Sequence, residues 1–125
     1  MYMAGKKNPL YKSFGYAFSG ILETVRRERN MKIHCAAGAL VILFGFFLRI
    51  SLIQWCICLG LCALVMSLEL VNTALEAVVD LACQEVHPLA KKAKDAAAGA
   101  VLTAAIFAAI VGCLIFLPKL AAMVL

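Results

Sequence analysis

Charged residues are scarce in this chain: they make up 15% of its 125 residues, whereas hydrophobic residues make up 65%. An ordinary soluble domain has about 25% charged and about 45–50% apolar residues. The chain lacks the polar surface needed to cover a soluble globule, and its mean hydropathy of +0.97 agrees with that. The composition predicts an integral membrane protein with one compact domain, too small to bury a site alone and therefore expected to form an oligomer.

Several common motifs are also missing. There is no glycine-rich phosphate loop and no motif set of the soluble protein kinases, which excludes the common kinase folds. None of the six cysteines forms a CxxC pair, so we interpret them as small buried hydrophobic residues. The two histidines, His34 and His87, are too far apart to suggest a zinc site, and His34 is interpreted as a packing or hydrogen-bonded residue. No apolar run with a small-residue cleavage site follows Lys6 and Lys7, so no signal peptide is predicted.

Four segments carry helical hydrophobic patterns. Residues 9–27 place apolar and polar side chains on different faces, which predicts an amphipathic helix at the membrane surface. Three apolar segments follow, and about 20 residues suffice to cross a hydrocarbon core of about 30 Å. We therefore predict transmembrane helices at about 29–48, 51–82 and 92–117, the last ended by Pro118. The predicted fold class is an all-α membrane protein.

The distribution of lysine and arginine predicts the orientation of these helices. Ten of the twelve lie before the first span or in the loop at 83–95, and only Arg49 and Lys119 lie on the other side. By the positive-inside rule, the N-terminus and this loop are cytoplasmic and the C-terminus is external. Attraction to anionic lipid head groups explains the net charge of +5, so no nucleic-acid partner is expected.

One stripe of polar residues interrupts the second apolar helix. Glu69, Asn72, Glu76 and Asp80 follow one another at helical spacing and fall within about 80° of each other around the axis. The rest of the segment from residue 50 to 82 carries no charge. Ionisable groups inside a membrane segment are costly and usually mark a functional site. Counting from the outer end of the span places Glu69 at the inner edge of the hydrocarbon, with the others continuing toward the cytoplasm.

The other spans bring further charges to the same depth. Glu28 lies where the first span begins, and Lys94 and Asp95 lie where the third begins. Converging carboxylates repel one another, and a hard cation such as Mg²⁺ relieves that repulsion while holding substrate phosphates. Lys94 suits a phosphate, and Glu69 could take a proton from a lipid hydroxyl. These parts together favour phosphoryl transfer, in which positioning and electrostatics supply most of the catalysis.

Simpler interpretations of these residues remain open at this point. Asp80 and Glu85 could form a solvated helix end, and Asn72 could be a polar contact between spans. Glu28 could pair with the neighbouring arginines. A proton-coupled transporter that uses Glu69 as a relay is a further alternative, although its acids would be expected nearer the bilayer midplane. A structural subunit without chemistry leaves the buried acids unexplained.

Two motifs resemble a known family. The segment ELVNTALEAVVD at 69–80 and the segment AKDAAAGAV at 93–101 resemble the small integral-membrane diacylglycerol kinases of bacteria, and the similarity extends over about 14–117. This resemblance implies a homotrimer of three-span protomers, each with a surface helix, in the bacterial cell membrane. It also implies transfer of the γ-phosphate of ATP to a lipid alcohol at the cytoplasmic face.

The resemblance further implies a role for each polar position. Glu69 is expected to be the general base, and Glu28 and Glu76 are expected to be the Mg²⁺ ligands that hold the ATP phosphates. The other expected catalytic positions are Asn72, Lys94 and Asp95, and the expected nucleotide contacts are Tyr16, Glu28, Glu76, Glu85, His87, Lys94 and Asp95. Pro9 stands where some members carry a basic residue, so a phosphate contact from that position is not expected here.

The sequence around the start of the first span bears on the lipid substrate. The segment ERNMKIH at 28–34 resembles the Gram-positive branch of the family, whose members tend to be undecaprenol kinases. The Gram-negative diacylglycerol kinases usually have an acidic residue where His34 stands. Undecaprenol is therefore the expected substrate, and diacylglycerol is the alternative.

Overall fold

The computed structural model describes residues 7–125, so Lys6 of the basic N-terminus lies outside the described residues. The described chain forms four helices: α1 (Leu10–Arg27), α2 (Arg29–Phe47), α3 (Leu52–Ala82) and α4 (Pro88–Val124). No strand occurs within residues 7–125, and the predicted all-α class is confirmed. Helices α2, α3 and α4 are each long and apolar enough to cross a membrane, as predicted.

A single residue, Glu28, joins α1 to α2. Its backbone is extended (φ −94°, ψ 119°), so Glu28 ends one helix and begins the next. Its N–H donates a hydrogen bond to the carbonyl of Thr24 at 2.9 Å, and its carbonyl accepts one from the N–H of Lys32 at 3.2 Å. These bonds satisfy backbone groups that helix ends leave free. The corner thereby fixes a carboxylate at the point where the surface helix meets the first span.

Local hydrogen bonds hold the turn between α2 and α3. The N–H of Gln54 donates to the Ser51 hydroxyl at 3.2 Å, and the N–H of Ser51 donates to the Gln54 side chain at 3.0 Å, a reciprocal capping box. Arg49 adopts the left-handed conformation (φ 54°), and the N–H of Ile50 donates to the carbonyl of Gly45 at 3.1 Å. This turn lies between the predicted spans at 29–48 and 51–82, and it determines how α3 returns alongside α2.

The core lies mainly between α3 and α4. Its buried residues are Ile50, Cys58 and Ile115 in one cluster, and Val65, Val101 and Ala104 in the other. The 31 residues of α3 extend for about 46 Å, which exceeds the hydrocarbon thickness of about 30 Å. The end of α3 that carries the polar stripe therefore continues beyond the apolar core.

Two details of the sequence interpretation are wrong. Helix α4 continues through Pro118 to Val124 instead of ending at the proline. Apolar helices tolerate an internal proline because adjustments of the neighbouring turns satisfy the backbone groups that it leaves free. The cysteines, all free, are not uniformly buried: Cys58 is buried, but Cys56 and Cys113 are exposed. They lie on outer helix faces, where apolar side chains need no protein contact if lipid surrounds them.

Candidate active site

The polar stripe on α3 grades from buried to exposed. Glu69 and Asn72 are buried, at 2% and 6% exposure, Glu76 is half-buried, and Asp80 is exposed. Each successive residue lies one turn nearer the end of the helix, so the gradient follows the emergence of α3 from the packed core. The stripe therefore offers carboxylates in three different environments, which favours different roles for them.

Glu69 lies in a cleft between α2, α3 and α4. Its Oε2 atom is 3.7 Å from Nε2 of His34, and this oxygen has no hydrogen-bond partner among the described residues. The cleft has a volume of about 210 Å³. It is lined by Asn30, His34, Glu69, Asn72, Ala98, Val101, Leu102 and Ala105. An acceptor that is buried without a partner is costly, so this geometry is suited to a group that a substrate completes.

Asn72 shares the cleft of Glu69 and is hydrogen-bonded to the next carboxylate along the helix. Its Nδ2 donates a hydrogen bond to Oε1 of Glu76 at 3.2 Å. Its own Oδ1 is buried without a partner, and so is Oγ1 of the neighbouring Thr73. Asn72 therefore orients Glu76 within its own helix and also presents a free acceptor. The interpretation of Asn72 as a polar contact between spans has no support in the hydrogen bonds of residues 7–125.

A second cleft separates the surface helix from α3. It has a volume of about 650 Å³, and Tyr16 and Glu28 line it together with Thr73 and Ala77 of α3. The Glu28 side chain is half-buried there, and Tyr16 is exposed. The two residues expected to contact the nucleotide from the N-terminal part of the chain thus share one cleft. Glu69 lines the other cleft, on the side of α3 that faces α2 and α4.

A third cleft, of about 320 Å³, lies where α3 connects to α4. Its predicted site residues are Glu85, His87, Lys94 and Asp95, and Asp80 also lines it. The ammonium of Lys94 forms an ion pair with Asp80 across the two helices, and Asp95 pairs with Lys91 one turn earlier. His87 caps α4, since its Nδ1 accepts a hydrogen bond from the N–H of Leu89 at 3.1 Å.

The predicted residues thus divide between three clefts of one chain, except Glu76, which lines none of these three and is held by its hydrogen bond from Asn72. Within residues 7–125, no three side chains of histidine, cysteine, aspartate or glutamate come together as a metal site. Neither His34 nor Thr73 was predicted from the sequence to be a site residue, yet both line clefts beside predicted site residues. One signal for His34 was available: it is the one polar residue within the apolar run 33–48.

An apolar groove continues from the Glu69 cleft. It has a volume of about 250 Å³ and is lined by His34, Ala37, Gly38, Val41, Cys62, Val65, Met66, Ala105, Ala108, Ala109 and Gly112. His34 and Ala105 belong to both the groove and the cleft. From His34 to Val41 the groove follows α2 for about 10 Å. A long apolar molecule in this groove would have its end next to the Glu69 carboxylate.

Comparison with known proteins gives consistent matches. Residues 15–116 match the sequence profile of prokaryotic diacylglycerol kinase. The chain is 52% identical over 113 residues to the undecaprenol kinase of Bacillus subtilis, covering 90% of this chain and 92% of the relative. It is 46% identical over 133 residues to a diacylglycerol kinase of Synechocystis, covering 96% and 76%. It is also 32% identical over 106 residues to the diacylglycerol kinase of Escherichia coli K12, covering 85% and 87%.

Proposed function

The chain belongs to the prokaryotic diacylglycerol kinase family, and from this premise we propose that it transfers the γ-phosphate of ATP to undecaprenol. Membership makes it a multi-pass membrane protein and a lipid kinase, a phosphotransferase whose acceptor is an alcohol. A kinase of this family takes its phosphate from ATP. The transporter and structural-subunit alternatives are therefore set aside.

One observation carries the proposed chemistry: a buried carboxylate lies at the junction of a polar cleft and an apolar groove. Glu69 is the general base in this proposal. A lipid alcohol that lies along the groove brings its hydroxyl to the unpartnered carboxylate, which takes the proton as the oxygen attacks the γ-phosphorus. Burial excludes bulk water from the carboxylate, which favours transfer to the lipid over hydrolysis of ATP.

The nucleotide binds in the other two clefts in this proposal. Tyr16 and Glu28 contact it from the cleft beside the surface helix, and Glu85, His87 and Asp95 contact it from the cleft at the start of α4. Lys94 exchanges its ion pair with Asp80 for the phosphates, since a flexible ammonium moves between acceptors at little cost. Asn72 holds Glu76 in place through its hydrogen bond.

The chemistry of the oxygen donors on Glu28 and on the last turns of α3 suits Mg²⁺. Glu28 and Glu76 offer carboxylate oxygens, and Asn72 Oδ1 and Thr73 Oγ1 are buried oxygen atoms without partners. Mg²⁺ prefers oxygen ligands and usually combines one or two carboxylates with substrate phosphates and water. In this proposal Glu28 and Glu76 hold the ion. When bound, Mg²⁺ neutralises the charge that develops on the phosphates.

The lining of the groove favours undecaprenol over diacylglycerol. Apart from His34, the groove has only apolar side chains, glycines and a thiol. Undecaprenol has a single hydroxyl on an otherwise hydrocarbon chain, whereas diacylglycerol has two ester groups beside its hydroxyl. Burying those esters without hydrogen-bond partners is costly. The similarity to the undecaprenol kinase of Bacillus subtilis supports the same choice, and the similarity to diacylglycerol kinases keeps diacylglycerol as the second candidate.

The orientation and assembly follow from the basic segments and the family. The N-terminus and the loop before α4 lie in the cytoplasm beside the nucleotide, and the C-terminus lies outside, in a bacterial plasma membrane. The resemblance implies a homotrimer. The distribution of the predicted residues over separate clefts of one chain supports an assembly, because a neighbouring copy provides a way to complete each set.

The test is a direct comparison of lipid acceptors. Purified protein in mixed micelles receives γ-labelled ATP and Mg²⁺ with either undecaprenol or diacylglycerol at equal mole fraction. We expect label in both acceptors or in undecaprenol alone, with a higher kcat/KM for undecaprenol, and no label when EDTA removes the metal. A higher kcat/KM for diacylglycerol would overturn the substrate assignment, and absence of label from both lipids would overturn the proposed function.

A further inference from the structure

We infer that His34 is a positioning residue for Glu69: its imidazole N–H holds one carboxylate oxygen so that the other faces the lipid hydroxyl. This inference rests on the proposed function, because it assigns the partner of the proposed base. His34 was not predicted from the sequence to take part in catalysis, and the family resemblance implied no role for a histidine at this position.

The Glu69 carboxylate is isolated from the other charged side chains. His34 Nε2 lies 3.7 Å from Glu69 Oε2, and no lysine or arginine of residues 7–125 lies within 4.0 Å of this carboxylate. Helix α4 contributes Ala98, Val101, Leu102 and Ala105 to the cleft, none of which can donate a side-chain hydrogen bond. His34 and Glu69 are the two titratable groups of the cleft, and of the two polar side chains that α2 contributes to it, Asn30 and His34, only His34 lies within 4.0 Å of the carboxylate as an ion-pair contact.

His34 lies at the boundary between the groove and the cleft. Its side chain is 17% exposed, whereas that of Glu69 is 2% exposed, so the imidazole lies between the open groove and the buried carboxylate. A lipid that enters along the groove meets His34 before it reaches Glu69. Closing of the cleft around the lipid would shorten the 3.7 Å separation, which is too long for a hydrogen bond in the free protein.

The proposed geometry accounts for each bond and each proton in the reaction. The lipid O–H bond breaks and its proton goes to the free oxygen of Glu69. The lipid oxygen forms a bond to the γ-phosphorus, and the bond from that phosphorus to its bridging oxygen breaks, with the electron pair leaving on ADP. His34 keeps its own proton throughout and exchanges none with the substrate. Its contribution is to hold the carboxylate in one orientation, which is a positioning effect.

The kinetic test compares two variants of His34 with a neighbour. His34→Leu removes the N–H, whereas His34→Gln retains an N–H at nearly the same distance from the backbone. We expect kcat with undecaprenol to fall about 10- to 100-fold in the leucine variant, as for loss of a hydrogen bond to a charged group. The glutamine variant should recover most of that loss, and KM for Mg-ATP should stay unchanged in both. Cys35→Ala, at the adjacent half-buried position, should behave as wild type.

A spectroscopic test keeps the inference falsifiable if the leucine variant does not fold. The chain has only two histidines, so ¹⁵N-histidine labelling gives two sets of ring resonances, and His87→Gln assigns them. We expect Glu69→Gln to move the Nε2 resonance of His34 and to leave that of His87 in place. Unmoved His34 resonances would overturn the inference, and so would equal kcat values for the two His34 variants. Neither result would affect the proposed function, which fails only if the wild-type protein phosphorylates no lipid.

Discussion

The cleft around Glu69 and the cleft at the start of α4 contain the same kinds of charged groups in opposite environments. Glu69 is buried, has no hydrogen bond to its Oε2 atom and lies beside an apolar groove. Asp80 and Asp95 are more than half exposed, and each already has a lysine partner. A buried carboxylate without a partner is expensive and is retained where a reaction uses it, whereas exposed ion pairs contribute little and exchange partners readily. This contrast favours the proposed roles, proton transfer in the first cleft and nucleotide binding in the second.

The largest effect is expected from the buried cleft. Glu69→Gln preserves the shape of the side chain but removes its ability to accept a proton, so kcat should fall by about 10²- to 10⁴-fold. Binding of Mg-ATP should be largely retained, because the nucleotide contacts lie in the other clefts. Steady-state rates with undecaprenol and equilibrium binding of a fluorescent ATP analogue check the two parts. A wild-type kcat in this variant would contradict the division of roles between the clefts.

A smaller but distinct effect is expected at the middle of the polar stripe. Glu76→Gln can keep the hydrogen bond from Asn72 but loses a negative charge from the proposed Mg²⁺ site. We expect the Mg²⁺ concentration for half-maximal activity to rise at least about tenfold, the scale on which changes around metal ligands act. Excess Mg²⁺ should restore part of the rate, a recovery that Glu69→Gln cannot show. An unchanged dependence on Mg²⁺ would remove Glu76 from the site.

A larger side chain in the apolar groove tests whether the lipid binds there. A Cβ at Gly112 meets no atom within 4 Å, so Gly112→Leu places a side chain in the groove without a backbone clash. We expect KM for undecaprenol to rise about tenfold, which corresponds to the loss of about two buried methylene groups of the lipid. KM for Mg-ATP should stay constant. Gly60→Leu is the matched control, because it lies on an exposed face of α3 outside the groove and also meets nothing within 4 Å.

The smallest effect is expected at the exposed pair of the nucleotide cleft. Lys91→Gln breaks the ion pair with Asp95, in which both side chains are more than half exposed. Water and salt screen such a pair, so the midpoint of thermal unfolding in detergent should stay within the error of the measurement. A clear loss of stability would show that solvent does not screen the Lys91–Asp95 ion pair. That result would contradict the contrast between this exposed cleft and the buried cleft around Glu69.

Sequence periodicity predicted the helices better than the contacts between them. The apolar runs and the turn at Arg49 predicted three long helices, since burial in a membrane demands continuous apolar surface. The prediction that α4 ends at Pro118 was wrong, because the effect of this proline depends on how the neighbouring turns adjust. The 3.6-residue repeat placed Glu69 and Asn72 on one face of α3. Because the other faces of this helix carry no charge, the repeat also identified that face as a candidate functional site.

The proximity of His34 to Glu69 could not be predicted from these patterns. It depends on the register between α2 and α3, which packing and the intervening turn determine and which neither helical pattern contains. The same limit explains why the predicted residues proved to be divided over three clefts. A depth along the membrane normal follows from counting residues, but the direction in which each side chain faces around the bundle does not. The roles of these residues therefore remain predictions.

In the proposed complex, the lipid lies in the groove between α2, α3 and α4 with its alcohol at Glu69. The most direct measurement is photo-crosslinking with a polyprenol that carries a diazirine beside its hydroxyl end, followed by mass spectrometry of the labelled peptides. The account predicts adducts on groove residues such as Met66 and Ala105, and their loss when unlabelled undecaprenol competes. Adducts confined to the cleft beside the surface helix, at Tyr16 or Ala77, or adducts that undecaprenol does not displace, would contradict it.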